Sequence, residues 1–186
     1  DEQGLLYEGD TKFGFFPTQS LKEQVGLRGA RDRMWQPRAT TGGYELPRLD
    51  PATPDDARAE GLPERGGLER PAVAWAMLDR IDCWLPEGGP QGLGWISGSK
   101  DVNPDEWFFA AHFYQDPVMP GSLGLESFLE LLKTVATDRW GADIGSTHRF
   151  EPFAMGEPHE WVYRGQVIPT DHRVTVQAAI TEIRDG

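Results

Sequence analysis

The chain has 186 residues, 38% hydrophobic and 11% aromatic, with a mean hydropathy of −0.52, enough apolar matter for one domain with its own core. Its net charge of −12, with no basic run, argues against a phosphate-tracking nucleic-acid surface. Cys83 is the only cysteine, which excludes an internal disulfide framework or a multi-cysteine metal site, and no apolar run reaches the roughly 20 residues of a membrane span.

The acidic, interrupted start carries no secretory pattern, so a reducing cytoplasm is the expected location. The chain begins at Asp1 without methionine and stops at Gly186 directly after a strand-like run, so it reads as a piece of something larger. Aromatics at Tyr7, Phe13, Phe15 and Phe16 suggest a strand that Pro17 stops, and residues 19–27 suggest a short helix. Residues 41–70 hold nine Gly plus Pro, seven acids and four bases, the composition of a linker or solvated surface excursion.

Order resumes near Pro71. AVAWAMLDRIDCWL fits helix or strand, with Cys83 as a buried small hydrophobe. PEGGPQG is a turn, and LGWISGSKDV has strand spacing with Leu93, Trp95 and Ser97 on one face, so the two runs form a hairpin. Trp107, Phe108 and Phe109 read as core, or as the lining of an apolar tunnel. Residues 122–137 predict a helix of about four turns capped by Ser122, with apolar residues round well over half its circumference, hence largely buried. HEWVYRGQVI (159–168) and RVTVQAAITEI (173–183) read as strands about a PTDH turn. One long buried helix against an antiparallel sheet makes the fold class α+β.

Chemistry is best sought where ionisable groups meet apolar surface. His112 lies among aromatics, and Glu126 sits early on the apolar helix, where desolvation favours its acid and the helix N-terminus its anion. Such a pair can serve as base and acid in proton transfer. Equally, a core histidine can be merely hydrogen-bonded, and Glu126 can pair with Lys133 or cede its role to Glu130. Asp116 reads as a turn residue holding the loop by its side chain. His112 and Asp116 lack a third ligand, so no metal is expected, and His148, His159 and His172 read as loop or edge residues.

The run from His112 to Glu126, HFYQDPVMPGSLGLE, preceded by Trp107–Phe109, resembles the active-site segment of the β-hydroxyacyl dehydratases of the β-hydroxydecanoyl type, which are hotdog folds. MLDRI (77–81) with Glu87, Gly88 and Gly89 resembles that family's opening hairpin, and YRGQVIP (163–169) the strand after its helix, so the resemblance spans residues 73–183. The wording is most similar to dehydratase modules of polyunsaturated fatty acid synthases, in which hotdog units lie in tandem. By this resemblance residues 1–28 are a strand and helix of a preceding unit, 29–70 a linker, and 71–186 the dehydratase domain.

The resemblance implies dehydration of 3-hydroxyacyl thioesters on acyl carrier protein to trans-2-enoyl thioesters, without a cofactor of the chain's own. His112 would take the Cα proton and Glu126 protonate the leaving hydroxyl. The Gly121 amide would bind the thioester carbonyl, a backbone carbonyl near Val118 orient His112, and Phe113 line the acyl tunnel. A second hotdog unit is an implied partner, because the family's histidine and carboxylate come from different units. Acyl carrier protein is usually acidic, so a basic patch is expected on this acidic chain, with Arg139, His148, Arg149 and Arg164 as candidates. The decanoyl-type enzymes, which also isomerise the double bond, have aspartate at the position of Glu126, so dehydration alone is expected. The family's sheet runs about two strands beyond the last residue here, leaving an edge that the strand near Tyr7–Phe16 could fill. A hotdog thioesterase, and a non-catalytic half completing a neighbouring unit, are the rival readings.

Overall fold

The structure, a computed structural model, describes residues 17–19, 26–38, 44–45, 75–141, 147–148, 150 and 160–184. The strand expected over 7–16, most of the helix expected over 19–27, nearly all of the 41–70 excursion, and Arg149 and His159 lie outside these residues. In order the elements are α1 (Ala30–Arg33), β1 (Tyr44–Glu45), β2 (Arg80–Leu85), β3 (Trp95–Asp101), α2 (Trp107–Ala111), α3 (Gly121–Trp140) and β4 (Arg173–Ala179). The four strands form one antiparallel sheet in sequence order, and α3 packs against β3 and β4. Among the described residues no helix is long and apolar enough to cross a membrane.

β2 and β3 form the expected hairpin, from Leu85↔Trp95 to Arg80↔Ser99. Its turn closes on Gly94, at φ 134°, where a Cβ would fall 2.8 Å from the Trp84 ring. A bulge between Ile81 and Cys83 keeps Ile81 in the core and turns Asp82 outward, where it accepts the Ser99 hydroxyl at 2.9 Å. Cys83 is buried, as its apolar neighbours suggested. Leu93 lies in the turn rather than the strand, and burial along β3 does not alternate: Trp95 to Ser99 are all buried. The reason is cover on both faces. Ile96 enters a core with Leu78, Ile81, Leu131, Val135 and Val176, while the Trp95 ring lies 5.5 Å from that of Trp35, which comes from the 26–38 segment.

Gly98 lets α3 approach the sheet. A Cβ there would meet the Arg80 carbonyl at 2.9 Å and Leu131 Cδ2 at 3.1 Å. The backbone oxygen is held by the β2–β3 ladder and cannot swing aside. Gly98→Ala is therefore expected to cost about 1–3 kcal/mol, the usual penalty for overpacking, read as a lower denaturant midpoint at unchanged slope.

On the outer face Asp101 accepts from Arg80 at 2.7 Å and from Arg173 at 2.8 Å. These two guanidinium bonds hold its carboxyl below its ordinary value of 3.8. A depressed carboxyl contributes stability above its unfolded value and loses it as pH falls through the folded one. Asp101 is exposed, so solvent screens the effect. The stability gap between wild type and Asp101→Asn is expected to be present at neutral pH and to close below 3.8. Urea titrations at pH 7 and pH 3 check it.

Two expectations for α3 need correction. Its N-cap is Pro120, with no side-chain capping bond, so Ser122 is an exposed second residue rather than the cap. The helix is not largely buried. Leu123, Ser127, Glu130, Leu131 and Val135 face inward, but Phe128 is 41% and Leu132 44% exposed. The physical reason is that the described strands cover one side of the helix only. β4 is shorter than expected, because its partner β3 ends at Trp95 and Ile180 donates instead to Gly94 in the turn at 2.9 Å. Residues 160–168 form no strand and join no ladder. Gly165 turns at φ 134°, Pro169 lacks a donor, and the segment is tied to the approach of α3 through the Met119 amide, 2.9 Å from the Val167 carbonyl.

Candidate active site

α2 is short because it is an anchor. Phe108 and Phe109 are buried with Met77, Met119 and Leu123, and Trp107 stays 45% exposed, so the core reading holds for the two phenylalanines. His112 leaves the helix in an extended conformation, its amide still bonded to the Phe108 carbonyl at 2.9 Å. The chain then loops back: Phe113 and Asp116 exchange main-chain bonds at 3.2 Å each, and the His112–Phe113 peptide is cis. Asp116 thus closes the turn with its backbone, not with the side chain expected to do so.

The loop returns Val118 to His112. The Val118 amide donates to the His112 carbonyl at 2.9 Å, and His112 Nδ1 lies 3.0 Å from the Val118 carbonyl. A carbonyl can only accept, so Nδ1 carries the hydrogen, and in the neutral imidazole the lone pair is on Nε2. The Phe113 ring lies 3.9 Å from the imidazole and is 60% exposed, so within one chain it stands on open surface.

The helix begins one residue after Pro120, so the Gly121 amide is among the first amides, which have no intrahelical acceptor. Beside it stand Trp161 and Tyr163: a carbon at the Gly121 Cβ position would lie 3.4 Å from Trp161 and 3.7 Å from Tyr163. Partial burial pushes the Tyr163 phenol above its ordinary value of 10. Residues 160–168, part of a run taken by its alternation for a strand with Trp161 and Tyr163 on one phase, therefore set both rings beside Gly121.

The two carboxylates on α3 part company. Glu130 is buried and accepts the Met77 amide at 2.7 Å. Glu126 keeps solvent access, with 22% of its side chain exposed, and stands 3.7 Å from Lys133, the pairing the sequence allowed. Lys133 in turn lies 5.9 Å from the Phe150 ring centre. No hydrogen bond or ion pair joins His112 to Glu126 within this chain. Among the described residues no three His, Cys, Asp or Glu side chains gather as metal ligands.

Of the basic candidates, Arg139 donates to the Leu93 carbonyl, Arg164 donates to that of Tyr163 at 3.2 Å, and His148 lies 2.8 Å from the Thr147 hydroxyl. Two guanidinium groups are thus engaged by main-chain carbonyls. The His172 carbonyl accepts the Val102 amide at 3.0 Å.

Comparison with known proteins gives this geometry a context. A FabA-like domain matches residues 70–186. The chain is also 32% identical to a polyunsaturated fatty acid synthase polypeptide of Thraustochytrium sp. (strain ATCC 26185 / S-3), an alignment that takes in 96% of this chain. It spans only 12% of that relative's length. The match over more than half the chain includes the His112 loop, α3, the hairpin and β4, and so the chain belongs to the FabA-like family of hotdog dehydratases.

Proposed function

We propose that this chain removes water from 3-hydroxyacyl groups held as thioesters on acyl carrier protein, giving trans-2-enoyl thioesters. One observation carries the reading: the Val118 carbonyl takes the Nδ1 hydrogen of His112, so that Nε2 holds the lone pair of the neutral imidazole, within the residues that the family matches. Nε2 takes the Cα proton. The electron pair moves into the thioester, whose carbonyl oxygen gains enolate character and is met by the Gly121 amide at the head of α3. The C3–O bond breaks as a carboxylic acid, Glu126, delivers a proton to the hydroxyl, and water leaves. Solvent then returns the proton from His112 to the carboxylate. Both transfers are acid–base steps, so the chain's own chemistry needs no redox group. The phosphopantetheine arm belongs to the carrier.

Glu126 is favoured over Glu130 because Glu130 is buried and occupied by a backbone amide. The separate surroundings of His112 and Glu126 within one chain support a second hotdog unit as the source of the complementary group. The exposed Phe128 and Leu132 face of α3 is consistent with such a neighbour. The relative's name supports a setting in fatty acid synthesis.

The test is incubation of a 3-hydroxyacyl thioester with the full chain, followed by mass spectrometry. Loss of one water from the thioester is the expected result. Release of free thiol would support a thioesterase, and no reaction, even with the adjoining hotdog unit added, would support a structural half.

A further inference from the structure

The segment 26–38 precedes the residues that the family matches, yet it lies on the domain as a strap. At its start a carbon at the Gly26 Cβ position would lie 3.5 Å from the Arg164 carbonyl, an ordinary contact. Toward its end the Trp35 ring lies 5.5 Å from that of Trp95, the separation of a packed aromatic pair. Between these anchors the strap is wound into a turn. Ala30 donates to the Leu27 carbonyl at 3.1 Å and Met34 to that of Ala30 at 3.0 Å. Arg33 folds back on the Gly29 and Arg28 carbonyls at 3.3 and 3.4 Å.

Charge sets the strap apart. The chain carries −12, but residues 26–38 hold four arginines against one acid, Asp32. Arg28, Arg31, Arg33 and Arg38 are all exposed, and none enters an ion pair among the described residues. Leu27 and Met34 on the same segment are 42% and 40% exposed, so apolar surface accompanies the charge. Arginine beside exposed apolar side chains is the make-up of a protein contact. The start of the strap also lies close to the site. Arg164, which Gly26 borders, follows Tyr163, whose ring stands 3.7 Å from the Gly121 Cβ position.

We infer that the 26–38 strap is the surface on which the chain receives acyl carrier protein, an acidic partner met by Arg28, Arg31 and Arg38 with Leu27 and Met34. The inference rests on the dehydratase reading, which puts the substrate on a carrier, and adds the place where that carrier docks. The strap attracts an acidic carrier while the negative charge of the rest of the chain repels it, so the approach is confined to one side. Arg164, one of the residues expected to meet the carrier, lies at the start of this surface.

The test uses the full chain and a holo acyl carrier protein of net negative charge. Calorimetry reports carrier binding, and one 3-hydroxyacyl group offered on the carrier and on N-acetylcysteamine reports turnover. The triple variant Arg28→Glu, Arg31→Glu, Arg38→Glu leaves Arg33 to hold the turn. It is expected to weaken carrier binding and raise KM for the carrier-bound substrate about tenfold at low salt, with the gap narrowing as salt rises. Turnover of the small thioester stays at the wild-type level, which also shows that the variant folds. Trp35→Ala keeps every charge but loosens the strap from the sheet, and is expected to weaken carrier binding in the same direction. Should the triple variant unfold early, Arg28→Gln and Arg31→Gln singly carry the same test. Unchanged carrier binding in the arginine variants would overturn the inference. So would equal losses on both thioesters, or wild-type binding of polyglutamate as tight as of the carrier. A wild type that binds the carrier through the strap but forms no enoyl product from either thioester would sink the dehydratase reading and leave the docking surface standing. A wild type that turns over the small thioester but binds no carrier removes the docking surface alone.

Discussion

Replacing His112 by alanine or asparagine lowers the rate of enoyl formation by about 10²–10⁴-fold, the usual contribution of a positioned general base. The asparagine variant is the more informative. Its side-chain amide can donate to the Val118 carbonyl as Nδ1 does, preserving the contact that closes the 112–118 loop, but it offers no basic lone pair. Unfolding of the asparagine variant should match wild type while its turnover collapses. Retention of activity within about threefold would remove His112 from the chemistry and the proposed mechanism with it. If both variants unfolded early, the histidine would hold the loop rather than react. The geometry argues otherwise, because the loop is also closed by three main-chain bonds that survive the substitution: Phe113 to Asp116, Asp116 to Phe113, and Val118 to His112.

Leu131→Ala costs about 2–5 kcal/mol, the range for truncating a buried leucine. Leu131 is fully buried at the centre of the core, with Leu78, Ile81, Ile96, Val135 and Val176 around it, and Gly98 lets it close on the sheet backbone. A held strand and a helix cannot collapse into the void, so the cost should fall toward the upper end. For a chain of this size that is a fall in melting temperature of about 10 °C. The control lies next to it. Leu132→Ala and Phe128→Ala remove side chains that are 44% and 41% exposed, and should cost well under half as much. Equal losses at Leu131, Leu132 and Phe128 would mean that the helix is covered all round in solution, by the same chain or by a second unit. Repeating the series with the adjoining hotdog unit present separates those two causes.

Much of the site is legible in the sequence because it is nearly contiguous. His112, Phe113, Val118, Gly121 and Glu126 fall within one segment, so its chemistry is readable as a string. The hairpin is legible too, because the glycine-rich run 86–92 between two apolar segments admits little else. What fails, fails for want of knowing the neighbours. The apolar stripe on residues 122–137 predicts burial, but burial depends on what lies opposite, and the described sheet meets only the Leu131 and Val135 side, while Leu123 packs on Met77, Phe108, Phe109 and Met119. Strand-like alternation in 159–168 is genuine, but a strand also needs a partner. The Val167 carbonyl instead accepts the Met119 amide, on the way into the helix. Glu126 and Glu130 are indistinguishable by spacing. Burial and the Met77 amide, 53 residues away in sequence, tell them apart.

From its sequence alone this protein is an acidic α+β chain with the active-site segment of a dehydratase family, since local order, turn chemistry and a long motif are all written along the backbone. The tertiary structure decided which side of α3 is core, which carboxylate keeps solvent, which imidazole nitrogen meets the Val118 carbonyl, and that Trp161 and Tyr163 stand at Gly121. Each of these turns on contacts between residues distant along the chain or on the return of a loop, and side-chain periodicity carries no information about either.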